Sequence, residues 1–180
     1  MIFITDIHGD HLHLKTLQEL NTDNVFFAVP GAVMDKLPDE MKRNIMDVPN
    51  FDGGSFAGIE FQALPMYNLP ERADSRHPKG RGNGYLLFIA NKKIYISGDT
   101  EDILGMRTLS RVDVAFVCMN LPYTMNVEQA ASAVNAFKPG IVYPYHYRGK
   151  GGLSDVEKFR NQGNAVSPEV EVRLRNWYSE

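Results

Sequence analysis

The sequence predicts a layered α/β fold with a mixed sheet. Three observations carry that reading. Strand and helix patterns alternate through the second half of the chain, the middle reads as hairpins, and a short apolar run from Ile2 to Thr5 opens the chain as a buried strand. The chain has 180 residues, 43% hydrophobic and 23% charged, which suits one domain with a single core.

The elements follow in order. Leu12, Leu14, Leu17 and Leu20 recur at steps that predict a helical face. Val25 to Val29 predicts a strand ended by Pro30-Gly31, followed by a helix over Met34 to Asn44. Ser55 to Leu64, with Ile59 and Phe61 alternating with polar neighbours, predicts a strand. Pro65 to Gly84 is the longest predicted loop. Tyr85 to Ile89 and Lys93 to Ile96 flank Asn91 and predict a hairpin, closed by Gly98-Asp99-Thr100. Val112 to Met119 is apolar except for Asp113, which predicts a strand covered on both faces. An Ala-rich helix over Asn126 to Phe137 stops at Pro139-Gly140. A strand over Ile141 to Tyr145 ends at His146, and a helix near Ser154 to Asn161 and a strand over Val170 to Trp177 complete the chain.

Composition removes several function classes. A formal net charge of -3 argues against broad nucleic-acid binding, which needs a basic face. A single Cys excludes an internal disulfide and fits a reducing compartment. No apolar run approaches the roughly 18 to 20 residues of a spanning helix, and the opening run lacks the length and basic flank of a signal peptide. The expectation is a cytoplasmic protein acting on a small molecule, with neither a nucleic acid nor a membrane as partner.

The chemistry is concentrated at the start. In Asp6-Ile7-His8-Gly9-Asp10-His11, side chains two apart can point the same way after a strand, and imidazole with carboxylate suits Zn, Mn or Fe. Gly9 would let the backbone turn among the ligands. The bland alternative is a polar strand-to-helix loop with Asp10 as N-cap. Asp99 and His146 also sit at strand ends, where open α/β sheets build sites. His13 reads as a helix-surface residue, and Cys118, in an apolar strand, as core.

These residues resemble a known superfamily. Thr5-Asp6-Ile7-His8-Gly9-Asp10-His11 resembles the Thr-His-x-His-x-Asp-His signature of the metallo-β-lactamase fold, Ile96-Ser97-Gly98-Asp99-Thr100 its bridging-aspartate motif, and Tyr143-Pro144-Tyr145-His146-Tyr147 its last-histidine motif. Pro122-Tyr123-Thr124-Met125 with Glu128, Ala130 and Ala131 is similar to the branch of metal-dependent hydrolases that includes the ascorbate-phosphate lactonase. The resemblance implies an αββα sandwich over residues 1–180 with a two-metal site. His8 would bind the first metal, Asp10, His11 and His146 the second, and Asp99 would bridge them. A hydroxide between the metals, oriented by Asp10, would attack a small ester, lactone or phosphodiester, an anionic one included.

The chain departs from the pattern in three ways. Asp6 stands where the signature has its first His; it could still bind a metal through oxygen, at the cost of added negative charge and a weaker preference for Zn. The next first-metal His would fall near Met66, Tyr67 or Asn68, and none is there; His77 is the spare imidazole of that region. His77 could swing in as the missing metal ligand; the preferred expectation is that it is not obligatory and lines the mouth of the site beside Lys79 and Arg81, which could hold an anionic group, as could Arg72 and Arg76. Third, the signature begins without the usual first strands, so an uncovered edge predicts a homo-oligomer. The first reading is therefore a metal-dependent hydrolase with one or two divalent ions per chain, zinc favoured over Mn or Fe. The alternative is a metal-binding member that has lost turnover. A nuclease is weaker because the charge is acidic, and an exported β-lactamase because no signal peptide is visible.

Overall fold

The computed structural model describes residues 1–20, 22 and 24–178. The strands are β1 (Ile2–Phe3), β2 (Phe27–Val29), β3 (Ile45–Asp47), β4 (Gly53–Phe56), β5 (Ile59–Met66), β6 (Gly82–Ile89), β7 (Lys92–Ile96), β8 (Val114–Cys118), β9 (Ile141–Tyr145), β10 (Arg148–Gly149), β11 (Gly152–Leu153) and β12 (Glu171–Val172). The helices are α1 (Leu14–Glu19), α2 (Gly31–Met34), α3 (Leu104–Arg107), α4 (Val127–Phe137) and α5 (Val156–Val166), with a 3-10 turn over Asp39–Asn44.

Two sheets result. The small one is parallel, ordered β1-β2-β3. The large one is mixed, ordered β12-β9-β8-β7-β6-β5-β4. It is parallel from β12 to β7 and an antiparallel meander from β7 to β4. β10 and β11 pair as a separate hairpin. Among the described residues no helix is long and apolar enough to cross a membrane.

Three apolar clusters make the layers. Leu12, Leu17, Val33 and Met41 pack on the small sheet, and Ala130, Val134, Phe137 and Phe159 pack on the large one. Ala28, Val48, Phe61, Ala63 and Tyr85 fill the space between the sheets. The order is helix, sheet, sheet, helix, an αββα sandwich. α4 forms where expected because Asn126 and Gln129 make a reciprocal capping box, and Val127, Ala130, Ala131, Val134 and Phe137 share one buried stripe. Burying Val134 and Phe137 contributes about 1.5–3 kcal/mol each.

The sheets are also joined by polar groups. The Tyr85 hydroxyl lies 3.0 Å from the Ile4 carbonyl and 3.1 Å from the Ala28 carbonyl, and the Asn83 side-chain amide donates to the Val48 carbonyl at 2.7 Å. Burial pushes the Tyr85 hydroxyl pKa up, so it remains a neutral donor.

Several elements differ from the sequence expectation. The helix expected over Met34 to Asn44 is split, since Pro38 cannot donate a helical hydrogen bond. The strand expected over Ser55 to Leu64 is the β4–β5 hairpin, reversed at Ala57 and Gly58 with φ of 50° and 79°. The β6–β7 turn at Ala90 and Asn91 has φ of 48° and 61°, the conformation a two-residue hairpin requires. β5 and β6 extend into the expected loop and shorten it. The last strand contracts to Glu171–Val172, and β3, α3 and the β10–β11 hairpin were not anticipated. β8 is fully buried only on its helix-facing side, and Phe116 on the other face is half-buried.

Cys118 is buried, and burial with the nearby Asp99 charge pushes its thiol up to about 12. A thiol reagent at pH 8 is expected to leave it unmodified in the folded protein and to label it after denaturation. Rapid labelling of the native chain would contradict this placement.

Candidate metal centre

The opening segment is pinned at both ends of its turn. Asn83 N–H donates to the Thr5 carbonyl at 2.9 Å, and the His8 carbonyl accepts from His11 N–H at 2.9 Å and Leu12 N–H at 2.8 Å. This carries Asp6 to His11 across the end of the small sheet and against the strand ends of the large one.

Two trios form there. Asp6 Oδ2 lies 2.5 Å from His8 Nδ1 and 3.8 Å from His77 Nε2. Asp10 Oδ2 lies 3.3 Å from His146 Nε2 and 4.0 Å from His11 Nε2. Within each trio the donor atoms lie within 4.8 Å of one another. Asp99 stands between the trios. Its Oδ2 is 3.2 Å from His11 Nε2 and 3.3 Å from His77 Nε2, and its Oδ1 is 3.3 Å from His146 Nε2.

Neighbours aim these groups. Thr5 Oγ1 is 2.7 Å from His11 Nδ1, which leaves Nε2 facing inward. Asn120 Nδ2 is 3.2 Å from His146 Nε2, and Asn120 Oδ1 accepts from the Thr124 hydroxyl. His146 has a φ of 47°, a left-handed conformation that a non-glycine residue adopts at a cost. Gly98, before Asp99, has φ of 62°; a Cβ there would meet Met66 Sδ at 2.6 Å and the Asn83 carbonyl at 2.9 Å. No side chain fits at that position, which explains the Gly-Asp-Thr sequence.

The electrostatics follow from burial and proximity. Burial raises the Asp99 carboxyl, but its contacts with His11, His146 and His77 outweigh that and hold it well below the usual range. Burial lowers His11, but Asp99, Asp10 and Asp6 outweigh it and raise its pKa. His8 is lowered by burial, against the opposing charge of Asp6 and with help from Arg76, His77 and Arg81.

His8 Nδ1, His11 Nε2, both ring nitrogens of His77 and Asp99 Oδ1 are buried without an aligned hydrogen-bond partner. The short approach of His8 to Asp6 and the contacts to Asp99 do not meet donor geometry. Buried polar atoms left this way are costly, and here they converge. Imidazole and carboxylate donors in such an arrangement fit a divalent cation.

The structure corrects several sequence expectations. His77 does not line the mouth: it is fully buried at the centre. Asn68, near the place where chain order put a missing ligand, holds the His77 backbone instead, with Oδ1 accepting from His77 N–H at 2.8 Å and its own N–H donating to the His77 carbonyl at 3.0 Å. Lys79 Nζ pairs at the surface with Glu71 Oε2 at 3.0 Å. Arg81 forks onto Asp6, with Nε to Oδ1 and Nη2 to Oδ2 at 3.3 Å each. Arg72 pairs with Asp74, and Arg76 stacks on Tyr123. Gly9 has no positive φ and no neighbour within 4 Å of a Cβ, so the turn does not depend on it. His13, not Asp10, caps α1. Thr5 stood in the motif; Asn68 and the Arg81 fork had no sequence signal because both depend on tertiary approach.

Beside the second trio lies a cleft of about 430 Å3. Ile96, Phe116, Tyr145, Trp177 and Tyr178 line it together with Asp10, His11 and His146 of the second trio. Beyond those three the walls are apolar and aromatic, and among the described residues no Lys or Arg lines it.

The beta-lactamase superfamily domain matches residues 1–147. The UPF0173 metal-dependent hydrolase of Nanoarchaeum equitans is 36% identical over 152 residues, covering 81% of this chain and 68% of the relative. That of Pyrococcus horikoshii is 27% identical over 171 residues, covering 89% and 72%. A crystal structure of a protein assigned as a metal-dependent hydrolase, from Parabacteroides distasonis, superposes with a TM-score of 0.84 at 34% identity, over 97% of this chain and 74% of that one. Igni18, a metallo hydrolase from Ignicoccus hospitalis, superposes with a TM-score of 0.78 at 21% identity, over 97% and 75%, a likeness of fold. With the matched family spanning both the Asp/His segment and His146, the chain belongs to the beta-lactamase superfamily, among its UPF0173 metal-dependent hydrolases.

Proposed function

We propose that this centre hydrolyses a small ester, lactone or phosphodiester. Asp6, His8 and His77 would hold one divalent ion, Asp10, His11 and His146 a second, and Asp99 would lie between them. The observation that carries this reading is the position of Asp99, whose two oxygens reach imidazoles of both trios. A divalent ion bound there polarises a scissile carbonyl or phosphoryl oxygen and acidifies water. The chain's own residues do the rest. Asp10, whose carboxylate reaches solvent, orients the attacking water and takes its proton. Thr5, at the Nδ1 of His11, fixes that ring with Nε2 turned to the ion site. The aromatic cleft receives the part of the substrate that does not react and keeps bulk water from it.

Zinc is the ion this reading assigns, since the two trios offer four imidazoles. Apart from the absence of a crossing helix, the cytoplasmic setting rests on the lone Cys118. The test is a panel of p-nitrophenyl acetate, a δ-lactone and bis(p-nitrophenyl) phosphate, with and without a chelator. Turnover of at least one, lost with chelator and restored by zinc, is expected; no metal-dependent turnover would overturn the proposal.

Metal retention should depend on pH. The pKa of His11 is raised in the metal-free protein, so a proton competes with the ion there. As pH rises through that pKa the proton leaves and binding strengthens; as pH falls the ion is released, with affinity changing about tenfold per pH unit for each proton displaced. Equilibrium dialysis between pH 8 and 6 is expected to show falling zinc content. A pH-independent content would contradict the assignment of His11.

A further inference from the structure

We propose that Arg81 keeps the Asp6-His8-His77 trio in a low-affinity state, so that the centre loads in two steps with the Asp10-His11-His146 trio filled first. The inference rests on the two-ion reading above and goes beyond it. Asp6 is fully buried and brings a full negative charge to the trio, where an imidazole would bring none. Arg81 answers that charge with a fork to both carboxylate oxygens, while its Nη2 also donates to the Arg76 carbonyl at 2.5 Å. The oxygen taken by Nη2 is Oδ2, the same atom that faces His8 and His77. A fixed cation therefore sits at bonding distance from a donor atom of the first trio. Among the described residues, no Lys or Arg forms an ion pair with Asp10, the carboxylate of the second trio.

Two effects act in the same direction. An ion entering the first trio must share Oδ2 with the guanidinium and is repelled by its charge. The guanidinium also stabilises the ion-free state, because it pairs a carboxylate that would otherwise be buried alone. Removing the cation weakens the ion-free state and relieves the repulsion, and both raise affinity.

The test titrates the metal-free full chain with zinc chloride against a chromophoric chelator, for wild type, Arg81→Met and Arg81→Lys. Wild type is expected to show two classes of site separated by at least tenfold. In Arg81→Met the weaker class should tighten at least tenfold and the tighter class stay unchanged. Arg81→Lys, which keeps the charge, should stay closer to wild type. Two equal classes in wild type, or a weaker class in Arg81→Met that is unchanged or weakened, overturns the inference. Thermal unfolding guards against a merely structural role. Metal-free Arg81→Met should melt below wild type and recover in saturating zinc; a deficit that persists in saturating zinc also overturns it. Wild type that binds no zinc would overturn the two-ion reading itself, an outcome distinct from a flat response to Arg81→Met.

Discussion

Asp99→Asn is expected to lower metal-dependent hydrolysis by more than about a hundredfold, the upper end of what losing a supporting partner of a metal ligand costs. The reason is position. Asp99 touches His11, His77 and His146, so it is the one carboxylate shared by both trios. Asparagine keeps the shape and removes the charge. Two cations would then face each other with one anion fewer between them, and the zinc content should fall from two equivalents toward one or fewer. Asp6→Asn provides the comparison, because Asp6 reaches only His8 and His77 and is already answered by Arg81. Zinc content and kcat/KM on the best panel substrate, measured for both variants, decide the matter. If Asp6→Asn is the more damaging, Asp99 is not the bridge.

His77→Ala is expected to remove one zinc equivalent and most of the turnover. From sequence, the same change should spare metal content and raise only KM for an anionic substrate. Full burial reverses that expectation, for a ring at the centre of the trio cannot steer substrates from the mouth. The metal-free variant should be nearly as stable as the metal-free wild type, because the change deletes two ring nitrogens that lack hydrogen-bond partners there. The zinc-saturated variant should melt clearly below the zinc-saturated wild type. Elemental analysis and thermal unfolding in both states check it, and an unchanged two equivalents would remove His77 from the first trio.

Legibility from sequence followed locality. His8, His11, Asp99 and His146 were readable because each sits just past a strand whose apolar run ends abruptly. α4 and β9 were readable because capping residues and β-branched runs act within a few positions. His77 was not, because it reaches the centre from the β5–β6 loop and is held there by Asn68, a contact no local pattern records. Lys79 and Arg81 looked like free cations in the sequence, yet folding brings a carboxylate to each, Glu71 at the surface and buried Asp6 at the centre. Short elements escaped for a related reason. β3, α3 and the β10–β11 hairpin take their order from the sheet, core or partner they join, with too few residues to show a period of their own.

The way each trio is assembled has a mechanical consequence. Asp6 and His8 leave the small sheet and meet His77 from the large one, and Asp10 and His11 likewise meet His146. An ion in either trio is therefore a rivet through both layers, joining chain segments far apart in sequence. In the chain-entropy account, a cross-link closing a loop of roughly 100 residues restrains the unfolded chain by about 4–5 kcal/mol. A labile coordinate bond supplies a share of that restraint only while it lasts. Withdrawing the ions would then loosen the N-terminal layer from the seven-stranded sheet ahead of any change in the α4–α5 side, giving the molecule a seam along which it opens.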